Sequence, residues 1–179
     1  MDKIEQERQE QLEACIPDIW DYDHYLYVGA NEKRFHFKDK LRELAGNALI
    51  EIVEIDPSYA QSLRNMMFVD YVYQIDILLF SMNDFSNIPV IVWSHGPSCM
   101  KSSIAAKTTI ENLKKKCGLL VIMCPWGIYP PDFEKPANDD YSANKIALYP
   151  NFFRSLGMTV NVSGQADTAG SNLLAWWRK

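Results

Sequence analysis

The sequence predicts a mixed α/β domain, and three observations predict it. Val90, Ile91, Val92 and Trp93 form an apolar, largely β-branched run that reads as a buried strand. It breaks at the polar turn Ser94-His95-Gly96-Pro97-Ser98 and gives way to a stretch free of Gly and Pro, where Ile104, Ala105, Ala106, Thr108, Ile110 and Leu113 fall at helical spacing. Leu119 to Cys124 is wholly apolar, as the centre of a sheet requires.

In chain order, residues 1–16 favour a charged helix whose apolar stripe is thin (Ile4, Leu12, Cys15), either a surface helix or a frayed arm. Residues 17–179 form the single domain. DIWDYDHYLYVG is dense in aromatics and acids; it walls a pocket or packs a core through Trp20, Tyr25 and Tyr27. Phe35 to Ala45 reads as a helix stopped by Gly46, with Phe37, Leu41 and Leu44 on one face. Ala48 to Ile55 alternates as a strand, and Pro57 opens a short helix that runs to Met67. Tyr71 to Phe80 reads as a second strand. The turn Asp84–Asn87 then makes it an antiparallel neighbour of Val90–Trp93. Lys114 to Lys116 suit the negative end of the central helix, and Gly118 stops it. Pro125 to Tyr141 is a long irregular segment of the kind that is functional or disordered. Ser142 to Leu156 has helical composition interrupted by Pro150. Met158–Ser163 and Leu173–Trp177 close the sheet.

Composition excludes several function classes. With 179 residues, 47% of them hydrophobic, one domain with a real core is expected. No apolar run is long enough to span a membrane, and MDKIEQERQEQ has no signal-peptide core, so a cytosolic protein is expected. Cys15, Cys99, Cys117 and Cys124 have no C-x-x-C spacing and the three histidines are scattered, which argues against a metal site and against disulfides. A net charge of −5 argues against nonspecific nucleic-acid binding.

Strand, tight loop and helix present unpaired backbone N–H groups to an anion. Lys101, Ser102 and Ser103 can supplement them, so this stretch is either a phosphate cradle or an ordinary strand-to-helix turn. The window His95–Ala105 resembles the cofactor loop V-x-P-x-x-R-G-x-G-I-G of the GNAT acyltransferase superfamily. Pro97, Ile104 and Ala105 are in place; Met100 stands for the arginine, and Lys101 and Ser103 stand for two glycines. Phe152-Phe153-Arg154-Ser155-Leu156-Gly157-Met158 resembles that family's F-Y-x-x-L-G-F ending, and Asn144 precedes Ala147 as in its N-x-x-A helix. The resemblance covers roughly residues 17–179. It implies a mostly antiparallel sheet with Val90–Trp93 splayed from Leu119–Cys124. It also implies an N-acyltransferase with acetyl-CoA as co-substrate and an amine as acceptor.

On that resemblance the backbone of Trp93 and Ser94, together with Met100, Lys101, Ser102, Ser103, Ala105, Asn144 and Phe153, would hold the cofactor. Phe153 stands where the family has its acidic tyrosine and has no proton to give. Tyr149, one turn earlier, would substitute, with Tyr141 and Tyr129 nearby in sequence. Asp76 or His95 would be the general base; a histidine at a strand end suits proton abstraction, though His95 reads equally as a loop residue. Two other readings remain: a catalytically inactive GNAT-like module that binds a protein partner, and a P-loop in which Lys101-Ser102 is the Lys-Ser pair.

Overall fold

The computed structural model describes residues 3–30, 35–85, 87–97, 100, 103–127, 150–166, 168 and 170–179. Its strands are β1 (His24–Val28), β2 (Leu49–Val53), β3 (Tyr71–Tyr73), β4 (Ile88–Ser94), β5 (Cys117–Cys124), β6 (Thr159–Ser163) and β7 (Asn172–Arg178). Its helices are α1 (Lys3–Cys15), α2 (Lys38–Leu44), α3 (Pro57–Arg64), α4 (Ile77–Met82), α5 (Ser103–Lys114) and α6 (Pro150–Ser155). The seven strands form one sheet in the order β3-β2-β1-β4-β5-β7-β6.

The α/β class holds, but the expected arrangement of the sheet does not. From β3 to β5 every pair is parallel, and only β7 runs antiparallel to both β5 and β6. A helix returns the chain between each two consecutive strands from β1 to β5, the crossover that parallel pairing needs. Tyr71–Phe80 is therefore not one strand. It splits into β3 and α4, because Asp76 accepts a bond from the Leu78 N–H at 2.7 Å and so caps a helix. β3 lies at the sheet edge, with β2 and β1 between it and β4. Nor are β4 and β5 splayed: they pair from Ile88↔Cys117 to Ser94↔Met123. α6 covers Pro150–Ser155, and the rest of the helix expected from Ser142 lies outside the described residues.

The central strand β1 is not apparent from the sequence pattern. Its residues Tyr25, Leu26, Tyr27 and Val28 are all buried, Tyr25 and Tyr27 on one face and Leu26 and Val28 on the other. The acids that flank it in sequence, Asp18 to Asp23, hide a strand whose aromatic side chains pack on a pleated surface. On the first face lie α1, α2 and α3 through Leu12, Leu41 and Leu63; on the second lie α4, α5 and α6 through Phe80, Ile110 and Phe153. Leu12 is fully buried and Gln11 donates to Asn161 Oδ1 at 2.7 Å, so α1 is fastened to the sheet.

Arg178, at the end of β7, grips Asp18 with two bonds, Nη2 to Oδ1 at 2.7 Å and Nη1 to Oδ2 at 2.8 Å. Hydrogen bonding to this guanidinium holds the Asp18 carboxyl down at about 2, against an ordinary value of 3.8. A carboxylate depressed in the folded state stabilises it above the unfolded value and loses that contribution as pH falls through the folded value. Asp18→Asn is therefore expected to flatten the fall in stability between about pH 4 and pH 2, read as urea midpoint against pH. Because the pair is exposed, the change stays below about 1 kcal/mol.

Candidate active site at the carboxyl edge of the sheet

Ligands of open parallel sheets bind beyond the carboxyl ends of the strands, where strand order reverses. Here the reversal lies between β1 and β4. Gly29 follows β1 at φ +83°, and a Cβ placed on it would lie 2.9 Å from the Ser94 carbonyl oxygen. Backbone meets backbone at this point, and only glycine fits.

Glu54 follows β2 at the same edge. It is buried, and its Oε1 accepts from the Asp56 N–H at 2.8 Å. Burial pushes its carboxyl up despite that bond. A buried carboxylate at a strand end is a strong acceptor for hydroxyl groups.

His95 follows β4 with φ 58°, a left-handed conformation that costs a non-glycine residue about 1–2 kcal/mol. Its Nε2 lies 3.0 Å from Nε2 of His36. The other ring nitrogen of His36, Nδ1, is clasped by the Glu5 carboxylate of α1. Glu5 also accepts from the Phe37 N–H at 2.8 Å, which fixes its carboxylate in place. Burial opposes ionisation of Glu5, but the His36 bond and charge, the Phe37 amide and Arg8 together hold its carboxyl below the ordinary range. Arg8 Nη1 stands 3.5 Å from His36 Nε2. Tyr27 Oη and Ser94 Oγ are buried next to each other, close to the His36 backbone. Burial pushes the Tyr27 phenol upward, so it stays protonated.

Of the residues the sequence singled out, His95 and Ser94 lie at this edge. Trp93 points to the opposite face, in the core with Ile110 and Leu113. Asp76 caps α4 beyond the edge strand, away from β4. Ser103 begins α5, Ala105 lies in its first turn, and Met100 packs against the second core. Phe153 is fully buried in α6 against Phe152. Lys101, Ser102, Asn144 and Tyr149 lie outside the described residues, as do Tyr129 and Tyr141. Sequence reasoning missed Gly29 and Glu54, because β1 does not show as a strand and nothing then marks the glycine that follows it or the acid 25 positions later. It also missed Glu5, Arg8 and His36, which no spacing links to His95.

A separate cleft of about 650 Å³ opens where β1, β2 and β3 begin, lined by His24, Glu51, Tyr71, Tyr73, Phe80 and Phe85. Glu51 there accepts from the Tyr73 hydroxyl at 2.9 Å and pairs with His24 at 2.7 Å. Burial, with the Glu51 carboxylate, raises the Tyr73 phenol to about 12.

The sequence matches no protein-family model and no curated protein. The fold does match solved structures. The N-methyltransferase NodS from Bradyrhizobium japonicum WM9 is similar with a TM-score of 0.65 at 17% identity, covering 98% of this chain and 96% of that one. Its complex with S-adenosyl-l-homocysteine gives 0.66 at 16% identity, covering 99% and 88%. A S-adenosylmethionine-dependent methyltransferase from Clostridium acetobutylicum ATCC 824 gives 0.62 at 8% identity, covering 99% and 92%. At such identities the likeness is one of fold.

That likeness, with the parallel, unsplayed β4–β5 pair, overturns the GNAT resemblance. The acyltransferase function and the acetyl-CoA co-substrate go with it: a GNAT sheet pairs its splayed strand with pantetheine, and here β5 already occupies that edge of β4. Neither the inactive GNAT-like module nor the P-loop is better supported.

Proposed function

We propose that this chain binds an S-adenosylmethionine-type cofactor at the carboxyl edge of β1, β2 and β4 and transfers its methyl group to a separate acceptor. The observation that carries the reading is the edge itself: a strand-order reversal at β1–β4, with Gly29 allowing close backbone approach on one side and the Glu54 carboxylate on the other. In nucleotide-binding sheets of this kind an acid at the end of the second strand receives ribose hydroxyls. Glu54 suits that role, since it is buried and has acceptor capacity beyond the Asp56 bond. NodS, of similar fold, has been solved with S-adenosyl-l-homocysteine, which supports the choice of nucleoside. When bound, the cofactor supplies a methyl group on a sulfonium, with a neutral thioether as leaving group. The chain's own part is to hold the ribose at Glu54 and to keep the backbone close at Gly29.

The test is thermal. S-adenosylhomocysteine at 100 times its dissociation constant is expected to stabilise the protein by about 2.7 kcal/mol. For a chain of this size that is a rise of roughly 5–10 °C in Tm. Acetyl-CoA and ATP with Mg²⁺ are expected to leave Tm unchanged. A rise with acetyl-CoA and none with S-adenosylhomocysteine would overturn the proposal.

A further inference from the structure

The row Glu5–His36–His95 is not needed to hold a nucleoside, yet three separate elements, α1, the segment after β1 and the turn after β4, are brought together to build it. Its geometry defines its proton chemistry. Two imidazoles facing each other Nε2 to Nε2 at 3.0 Å must share one proton, since one nitrogen donates and the other accepts. The far nitrogen of His36 donates to a carboxylate. A further proton on this pair makes an imidazolium that is in contact with Glu5. Among the described residues, the titratable groups facing the pair are Glu5 and Arg8 from α1 and Tyr27 from β1. Of these Glu5 favours the added proton, Arg8 opposes it, and Tyr27 is neutral.

We propose that His95 is the proton acceptor of the methyl transfer, with His36 and Glu5 as positioning residues that store the proton, and that the acceptor substrate is therefore a hydroxyl or an alkylammonium rather than an already ionised carboxylate or thiolate. This rests on the methyl-transfer reading above. Loss of the acceptor's proton frees the lone pair that forms the new bond to the methyl carbon, and the carbon–sulfur bond breaks with its electron pair left on sulfur. The acceptor's proton passes to His95, whose shared Nε2 proton moves to His36, leaving an imidazolium against Glu5. An ionised acceptor would need no such group, and the left-handed backbone at His95 would be strain without use.

The test is a titration of ¹⁵N-histidine-labelled protein by NMR, for the wild type and Glu5→Gln. Gln keeps the acceptor oxygen for the Phe37 amide and removes the charge. In the wild type the His36 and His95 signals are expected to move together through one shared protonation. In Glu5→Gln that event is expected to move to lower pH, with proton affinity weakened about tenfold or more, as follows from losing an opposite charge in contact. Independent titration of the two rings, or a midpoint unmoved in Glu5→Gln, would overturn the relay. The titration needs no substrate, so the relay stands or falls on it. A phenol, an alkylamine and a carboxylate offered with labelled S-adenosylmethionine test the acceptor class: methylation of the carboxylate alone would overturn it, and methylation of the phenol or the amine, with the acid limb of the rate profile shifted down in Glu5→Gln, supports it. Calorimetry with S-adenosylhomocysteine separates the two readings. Wild type that fails to bind sinks methyl transfer, whereas binding without coupled histidines sinks only the relay.

Discussion

Glu54→Gln is expected to bind S-adenosylhomocysteine on the order of 10- to 100-fold more weakly than the wild type while melting at a higher temperature. The first half follows from the ribose contact: hydrogen bonds to an ionised group contribute about 1.5–3 kcal/mol, and an amide offers one neutral oxygen in place of the carboxylate. The second half follows from linkage. Burial raises the Glu54 carboxyl above its ordinary 4.5. A carboxyl raised in the folded state leaves stability intact below the unfolded value and erodes it as pH rises through the folded one. At neutral pH the wild type therefore carries the penalty of a buried charge, and Gln removes it. Weaker binding at unchanged or greater stability separates a ligand contact from a folding role; calorimetry and a melting curve on the same sample measure both. Lower stability with full affinity would remove Glu54 from the site.

Gly29→Val is expected to cost about 2–4 kcal/mol of stability, or roughly 5–15 °C in Tm. Two effects add. The φ of +83° lies in the region that β-branched residues avoid. The new Cβ would also meet the Ser94 carbonyl oxygen at 2.9 Å, forcing β1 from β4 at the point where the ligand is to bind. Gly46→Ala is the matched control. Its φ of +92° carries similar strain, but nothing lies within 4 Å of the added Cβ, so only about 1–2 kcal/mol is expected. Denaturation midpoints of the two variants therefore separate backbone strain from steric contact. Equal losses would mean that the β1–β4 junction tolerates a side chain.

Several elements are legible in the sequence for physical reasons. β4 and β5 are buried on both faces and announce themselves as unbroken apolar runs, and β2 shows its alternation. What the sequence does not disclose is partnership. The apolar run of β4 looks the same beside an antiparallel hairpin as beside a parallel crossover, and the assignment turns on six residues after Asp76. Read as strand they give a hairpin; capped as helix they give a crossover and a parallel sheet. β1 is hidden because its inward residues include tyrosines embedded among acids, although Tyr25 finds an acceptor in the Ile19 carbonyl at 3.0 Å. At the candidate site, His95 stands out as a strand-end histidine. Its partner His36 is 59 positions away and Glu5 lies 31 positions before that, distances that only the folded chain closes.

Whether a nucleoside cofactor lies across the carboxyl ends of β1, β2 and β4 can be read residue by residue from amide chemical shifts during titration with S-adenosylhomocysteine. Saturable perturbations are expected to concentrate at Gly29, Ala30, Glu54, Ile55 and the Ser94–Gly96 turn. Saturable shifts concentrated instead at His24, Glu51, Tyr71 and Tyr73, or no shifts at millimolar ligand, would contradict that placement.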